Sequence, residues 1–309
     1  MKVLTKPYGE IEIEDKQLVT FPRGLFGFEE LRSFALLDAL QQPFYWLQSL
    51  ERVEVAFVLM DPLFFRPDYE VPVRAVVDYA LARPGVDAQR LALIGYSLGG
   101  YLAPRAAAFE ARIKACIANP LAVNIEGAWL GAWPAPMRDA PSQAFDAAFT
   151  GLSHMNPRMH WSYDHARWAM GIQHPHDFFT AWKPYTLKGL EDHLRNPMLF
   201  LFGEDEIAQM KHELVMETMQ FINKLTCPRS IHLFLRDEGA SSHCQMGGMS
   251  RAQAVIFDWL EEKLGNEEMQ PRKGEAITIN QSVEQLNAVL RKYHGEEAVK
   301  SLPQLSPFA

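Results

Sequence analysis

Short apolar runs at residues 91–94 (Leu-Ala-Leu-Ile), 197–202 (Pro-Met-Leu-Phe-Leu-Phe) and 231–235 (Ile-His-Leu-Phe-Leu) stand out along the chain. Runs this short, without polar alternation, predict buried strands. Around them the period changes. Residues 73–81 predict a helix ended near Pro84 and Gly85, and residues 250–264 predict another. Val283, Leu286, Val289, Leu290 and Tyr293 recur at helical spacing and stop at His294 and Gly295, where glycine is a usual terminator. A strand candidate at 276–279 precedes that helix, and a short helix at 296–302 follows it. The first seventy residues differ: Glu10, Ile11, Glu12 and Ile13 alternate, and turns at Pro22-Arg23-Gly24 and Asp61-Pro62 cut the segment into short antiparallel strands. The predicted class is α/β, with an antiparallel β segment in front.

The run at 91–94 leads directly into Gly95-Tyr96-Ser97-Leu98-Gly99 and then into a helical pattern beginning Gly100-Tyr101-Leu102-Ala103. Strand, glycine-flanked serine and helix in that order are the parts of a nucleophile elbow, which lifts a serine above a sheet edge. A serine hydroxyl is a weak nucleophile until an imidazole takes its proton and a carboxylate orients that imidazole. The run at 197–202 ends in Gly203-Glu204-Asp205-Glu206, at the carboxyl end of a strand, and Asp205 is the expected acid. The run at 231–235 leads into a loop carrying Ser242-His243-Cys244-Gln245, and His243 is the expected base. Cys244, beside it, is the poorer nucleophile while Ser97 is present.

On these motifs, with Arg66-Pro67-Asp68-Tyr69-Glu70 upstream, residues 63–265 resemble the α/β-hydrolase superfamily, in its dipeptidyl-peptidase-like and FrsA-like esterase branch. The chain order serine, acid, histidine is the order used on that sheet. The resemblance implies Ser97 as nucleophile, His243 as base, Asp205 as acid, the Leu98 N–H as oxyanion donor and residues 121–195 as an inserted lid. It also implies several strands and a Gly-rich oxyanion loop before the elbow, and nothing of that kind precedes Val71. The elbow strand is therefore expected to have a bare edge, which is a sticky surface.

The first seventy residues carry a second resemblance, to the flagellar assembly factor FliW. It rests on Tyr8-Gly9-Glu10-Ile11-Glu12-Ile13, Phe21-Pro22-Arg23-Gly24-Leu25-Phe26-Gly27-Phe28-Glu29-Glu30, Pro43-Phe44-Tyr45-Trp46-Leu47-Gln48-Ser49 and Ala56-Phe57-Val58-Leu59-Met60-Asp61-Pro62. It implies a β-barrel-like module that binds flagellin and the RNA-binding regulator CsrA, of which about half is covered. The expected organisation is then a partial FliW-like antiparallel β module at 1–70, an N-terminally incomplete α/β-hydrolase domain at 71–265, and a linker and helical tail at 266–309. Three functions compete: a serine hydrolase of ester, amide or related acyl substrates, a FliW-like binding module, and a fusion of two truncated domains with neither activity.

Composition narrows the field. With 309 residues and 48% hydrophobic content the chain can bury one large core or two modest ones. A formal net charge of −8, with no cluster of Lys and Arg, speaks against nucleic acid as partner. No apolar stretch has membrane-spanning length and Met1-Lys2-Val3-Leu4-Thr5-Lys6 lacks a signal-peptide core, so a cytoplasmic location away from membranes is expected. Cys116, Cys227 and Cys244 fit reduced thiols. His174-Pro175-His176 lacks a third spaced ligand, so no metal is expected, and no cofactor. The partner expected is a small acyl substrate, with a homo-oligomer open. Trp129, Trp133, Trp161 and Trp168 lie in a stretch rich in large residues that would form either an apolar pocket or ordinary core.

Overall fold

The computed structural model describes residues 2–5, 9–12, 45–49, 54–57, 65–130, 141–155, 160, 163–164, 167, 169–265 and 279–300. Eight strands are found among them. Strands β1 (Lys2–Thr5) and β2 (Gly9–Glu12) pair antiparallel with each other. The other six are β3 (Tyr45–Ser49), β4 (Glu54–Phe57), β5 (Leu91–Tyr96), β6 (Ala115–Asn119), β7 (Met198–Gly203) and β8 (Arg229–Phe234). They form one sheet in the order β4-β3-β5-β6-β7-β8. Strands β5 to β8 are parallel throughout. The α/β class therefore holds. A self-contained antiparallel module over 1–70 would depend on residues most of which lie outside the described set.

Both faces of the parallel part are covered, which is why its strands read as unbroken apolar runs. On one face Ile94, Ile117, Leu199 and Leu201 pack with Val255, Ile256, Trp259 and Leu260 from the helix at Met249–Leu264. Full burial of each such aliphatic side chain contributes about 1.5–3 kcal/mol. The helix at Gly99–Ala107 packs on β5 and β6, and the helix at Glu70–Leu81 packs on it in turn.

The edge of β5 expected to be bare is paired. Strand β3 lies along it antiparallel, with Tyr45 opposite Gly95, Leu47 opposite Leu93 and Ser49 opposite Leu91. The missing neighbour is thus supplied by a segment that carries the FliW resemblance.

The chain divides into two compact units, one of residues 43–55, 68–124 and 187–309, the other of residues 1–42, 56–67 and 125–186. In the second, the helix at Ile125–Leu130 packs against the one at Asp177–Ala181. Phe145 and Phe149 lie on a helix at Ser142–Met155, are buried, and have ring centroids 5.8 Å apart. The strand candidate at 276–279 falls outside the described residues except for Ile279, which opens the helix Ile279–His294 instead. A further helix covers Glu296–Lys300. Among the described residues no helix is long and apolar enough to cross a membrane.

Candidate active site

The loops that follow β5, β6, β7 and β8 leave the sheet at one edge, the carboxyl ends of the parallel strands. Ser97 follows β5 with φ of +56°, the left-handed backbone that side-chain-bearing residues adopt at a cost of about 1–3 kcal/mol. The turn that forces this is very tight. A Cβ on Gly95 would lie 1.9 Å from the Gly99 carbonyl oxygen, and one on Gly100 would lie 1.6 Å from that of Pro120. The Ser97 N–H donates to the Asn119 carbonyl at 2.8 Å, tying the elbow to the end of β6. Leu98 is the N-cap of the following helix, so its N–H belongs to the first-turn donors that have no intrahelical acceptor.

His243 lies on a short 3-10 turn, His243–Gln245, in the loop after β8. Its Nε2 is 2.9 Å from Ser97 Oγ, and its Nδ1 is 2.5 Å from Glu206 Oε1. Of the expected residues the structure brings Ser97 and His243 together. Asp205 is placed elsewhere: its Oδ2 accepts from Ser241 Oγ at 2.6 Å and its Oδ1 from Arg236 Nε at 2.6 Å. The carboxylate on the imidazole belongs to the next residue, Glu206.

The reason is local. Glu204–Gln209 is a helix, and Glu206, its third residue, turns back to accept from the Gly203 N–H through Oε2 at 2.9 Å. A glutamate at that helical position commonly bonds backwards in this way. Its second oxygen is left free to meet the histidine. The Glu206 side chain is 8% exposed, so this pair of bonds fixes it in a nearly dry setting. Asp205 meanwhile joins the acid turn to the histidine loop, since its N–H also donates to the Ser241 carbonyl at 3.1 Å.

The electrostatics follow from these contacts. The Cys244 side chain beside the ring, and then Glu206, push the His243 pKa up from 6.5 to about 10, with burial acting in opposition. Asp205 is held below the ordinary carboxylate range by the Ser241 hydroxyl and then by the Arg236 guanidinium. A neutral imidazole with its proton on Nδ1, facing Glu206, presents a lone pair at Nε2 to the serine hydroxyl. A serine, a base and an orienting carboxylate in line can perform nucleophilic acyl transfer.

Two further residues have no role that the sequence suggested. Asn119 and Gln245 are both fully buried, and Asn119 Nδ2 donates to Gln245 Oε1 at 2.7 Å. Asn119 had no signal in the sequence, and Gln245 stood there only as the last residue of the His243-Cys244-Gln245 run, with no role of its own.

Comparison with known proteins gives two separate likenesses. Residues 2–90 match the family model described as FliW protein. The flagellar assembly factor FliW of Treponema denticola is 45% identical over 73 residues, covering 24% of this chain and 50% of that protein. Hydrolase LUC6 of a Fusarium species is 28% identical over 225 residues, covering 66% of this chain and 52% of that protein. The chain therefore spans about half the length of these curated relatives. Among solved structures, the 2,6-dihydroxy-pseudo-oxynicotine hydrolase aligns over 66% of this chain and 49% of its own, at 17% identity and a TM-score of 0.44. The front of the chain is thus similar to FliW, and most of its length is similar to a hydrolase.

Proposed function

We propose that this protein is a serine hydrolase acting on an ester, amide or related acyl substrate. The observation that carries the reading is the line from Ser97 Oγ through His243 to Glu206, with spacings of 2.9 and 2.5 Å across three segments far apart in the chain. Ser97 Oγ attacks the acyl carbonyl, and its proton passes to His243 Nε2 and then to the leaving group as the carbonyl–leaving-group bond breaks. Water, deprotonated by the same imidazole, then attacks the acyl carbonyl, and the imidazolium returns that proton to Ser97 Oγ as the serine–acyl bond breaks. Glu206 holds the ring in the productive tautomer, and the Leu98 N–H faces the developing oxyanion. No Gly-rich oxyanion loop is recognisable in the sequence before residue 71, and loss of one donor of such a pair slows turnover by ~10²–10³-fold. Acylation of the serine is therefore a more sensitive assay than turnover. A fluorophosphonate probe is expected to label wild-type protein at Ser97 and not Ser97→Ala; a cooperatively folded wild type that stays unlabelled refutes the proposal.

A second reading is favoured by the 45% identity to FliW over 73 residues. On it, residues 1–70 capture flagellin or CsrA. Calorimetric titration of the whole chain with each would give a binding isotherm, and flat titrations with both would exclude it.

A further inference from the structure

The proposed nucleophile and base sit on loops 146 residues apart, and something must hold one against the other. The surface contacts do part of this, but the centre of the arrangement is buried. Asn119 ends β6 and is reached from three directions. Its carbonyl accepts from the Ser97 N–H at 2.8 Å and from the Cys244 thiol at 3.4 Å, and its side-chain amide donates to Gln245 at 2.7 Å. Cys244 and Gln245 have φ of +53° and +52°, two successive left-handed residues without a glycine between them. Such backbone persists only where its surroundings over-determine it. The buried Gln245 side chain, bonded to Asn119, is the constraint that does so here.

Stability alone gives a poor reason for this pair. Asn119 Oδ1 and Gln245 Nε2 are buried with no hydrogen-bond partner among the described residues. Two half-satisfied amides are less favourable than apolar side chains of the same shape, and such departures concentrate at functional sites. We infer that Asn119 and Gln245 are positioning residues, a buried amide latch that sets the histidine loop in register with the serine elbow. The inference rests on the hydrolase reading given above.

The test compares wild type with the double variant Asn119→Leu/Gln245→Met and with Gln245→Glu. The double variant removes both amides at nearly constant volume, so its melting midpoint is expected to stay level or rise. Its fluorophosphonate labelling rate at saturating probe should nevertheless fall ~100-fold, with little change in the probe concentration for half-maximal rate. Gln245→Glu keeps an acceptor at the same reach and should label within severalfold of wild type. Labelling of the double variant at the wild-type rate, or a Gln245→Glu variant as slow as the double, overturns the latch. Should the double variant not fold, Asn119→Ala, which removes the donor and leaves no side-chain acceptor for Gln245, is read against Gln245→Glu: the first slow and the second fast supports the latch, and equal rates overturn it. If wild type itself does not label, the hydrolase reading fails, and the latch is judged by amide exchange. Exchange at the Ser97 N–H should then quicken at least about tenfold in the double variant while the β6 and β7 amides stay unchanged; an unchanged Ser97 rate overturns it.

Discussion

Glu204, Asp205 and Glu206 open one short helix, where successive side chains point about 100° apart. Each therefore meets a different neighbour. Glu204 accepts from Lys292 Nζ and Tyr293 Oη, both at 2.9 Å, Asp205 from Ser241 and Arg236, and Glu206 faces His243. Substitution should separate the last two clearly. Glu206→Gln is expected to reduce kcat by ~10²–10⁴-fold, as loss of an orienting carboxylate does, while Asp205→Asn should cost less than about tenfold. Measured kcat values in the reverse order would return the role to Asp205.

The pH dependence carries the same information with a definite sign. Cys244 and Glu206 raise the His243 pKa to about 10, and the base must be neutral to accept a proton. The acidic limb of kcat/KM should therefore lie above the ordinary histidine value of about 6.5, with activity climbing as pH rises through the limb. Glu206→Gln removes one of the raising influences and moves the limb to lower pH. A wild-type limb at or below 6.5 would contradict the assignment. At this scale Ser97 and His243 were legible in the sequence because each sits beside an apolar run with turn residues that leave little choice of place. The choice between Asp205 and Glu206 was not, because it depends on how a helix of six residues is rotated against a loop that arrives much later in the chain.

Elements show a similar division. The helix Ile279–His294 was readable from the spacing of its apolar residues, and Gly295, with φ of +81°, follows its end as expected. Where it docks was not readable. Leu286, Val289 and Leu290 are buried, and the helix packs against β8 and the helix that carries the three acids. The His294 ring nitrogen Nε2 meets the Ile207 carbonyl at 2.7 Å, close to the acid turn. Leu290→Ala should lower the unfolding free energy by ~2–5 kcal/mol in a denaturant titration, the usual cost of a cavity at a fully buried leucine. A change under about 0.5 kcal/mol, typical of surface positions, would mean that the helix is not docked in solution. Strand β6 drew no attention in the sequence, since Ala-Cys-Ile-Ala-Asn is short and carries few strong strand formers. Parallel partners on both sides make it a strand regardless, and its last residue is Asn119.

For the whole molecule, the decisive feature is the place of β3 between β4 and β5. Every β3 N–H faces one of those two neighbours, so a proline there removes a ladder hydrogen bond from the sheet interior. Leu47→Pro is expected to lower the melting midpoint and to abolish fluorophosphonate labelling at Ser97, although residue 47 lies in the FliW-like segment. Unchanged melting and labelling would show that the elbow strand does not depend on that pairing.

By itself the sequence determined what is local: where strands and helices begin, where the chain must turn at Gly95, and which serine and histidine stand at strand ends. Those features depend on residues within a turn or two of one another. Only the tertiary structure decided which carboxylate meets the imidazole, what covers the free edge of β5, and that Asn119 joins the two loops. Each of these is a contact between segments far apart in the chain, and its geometry is set by packing rather than by spacing along the sequence.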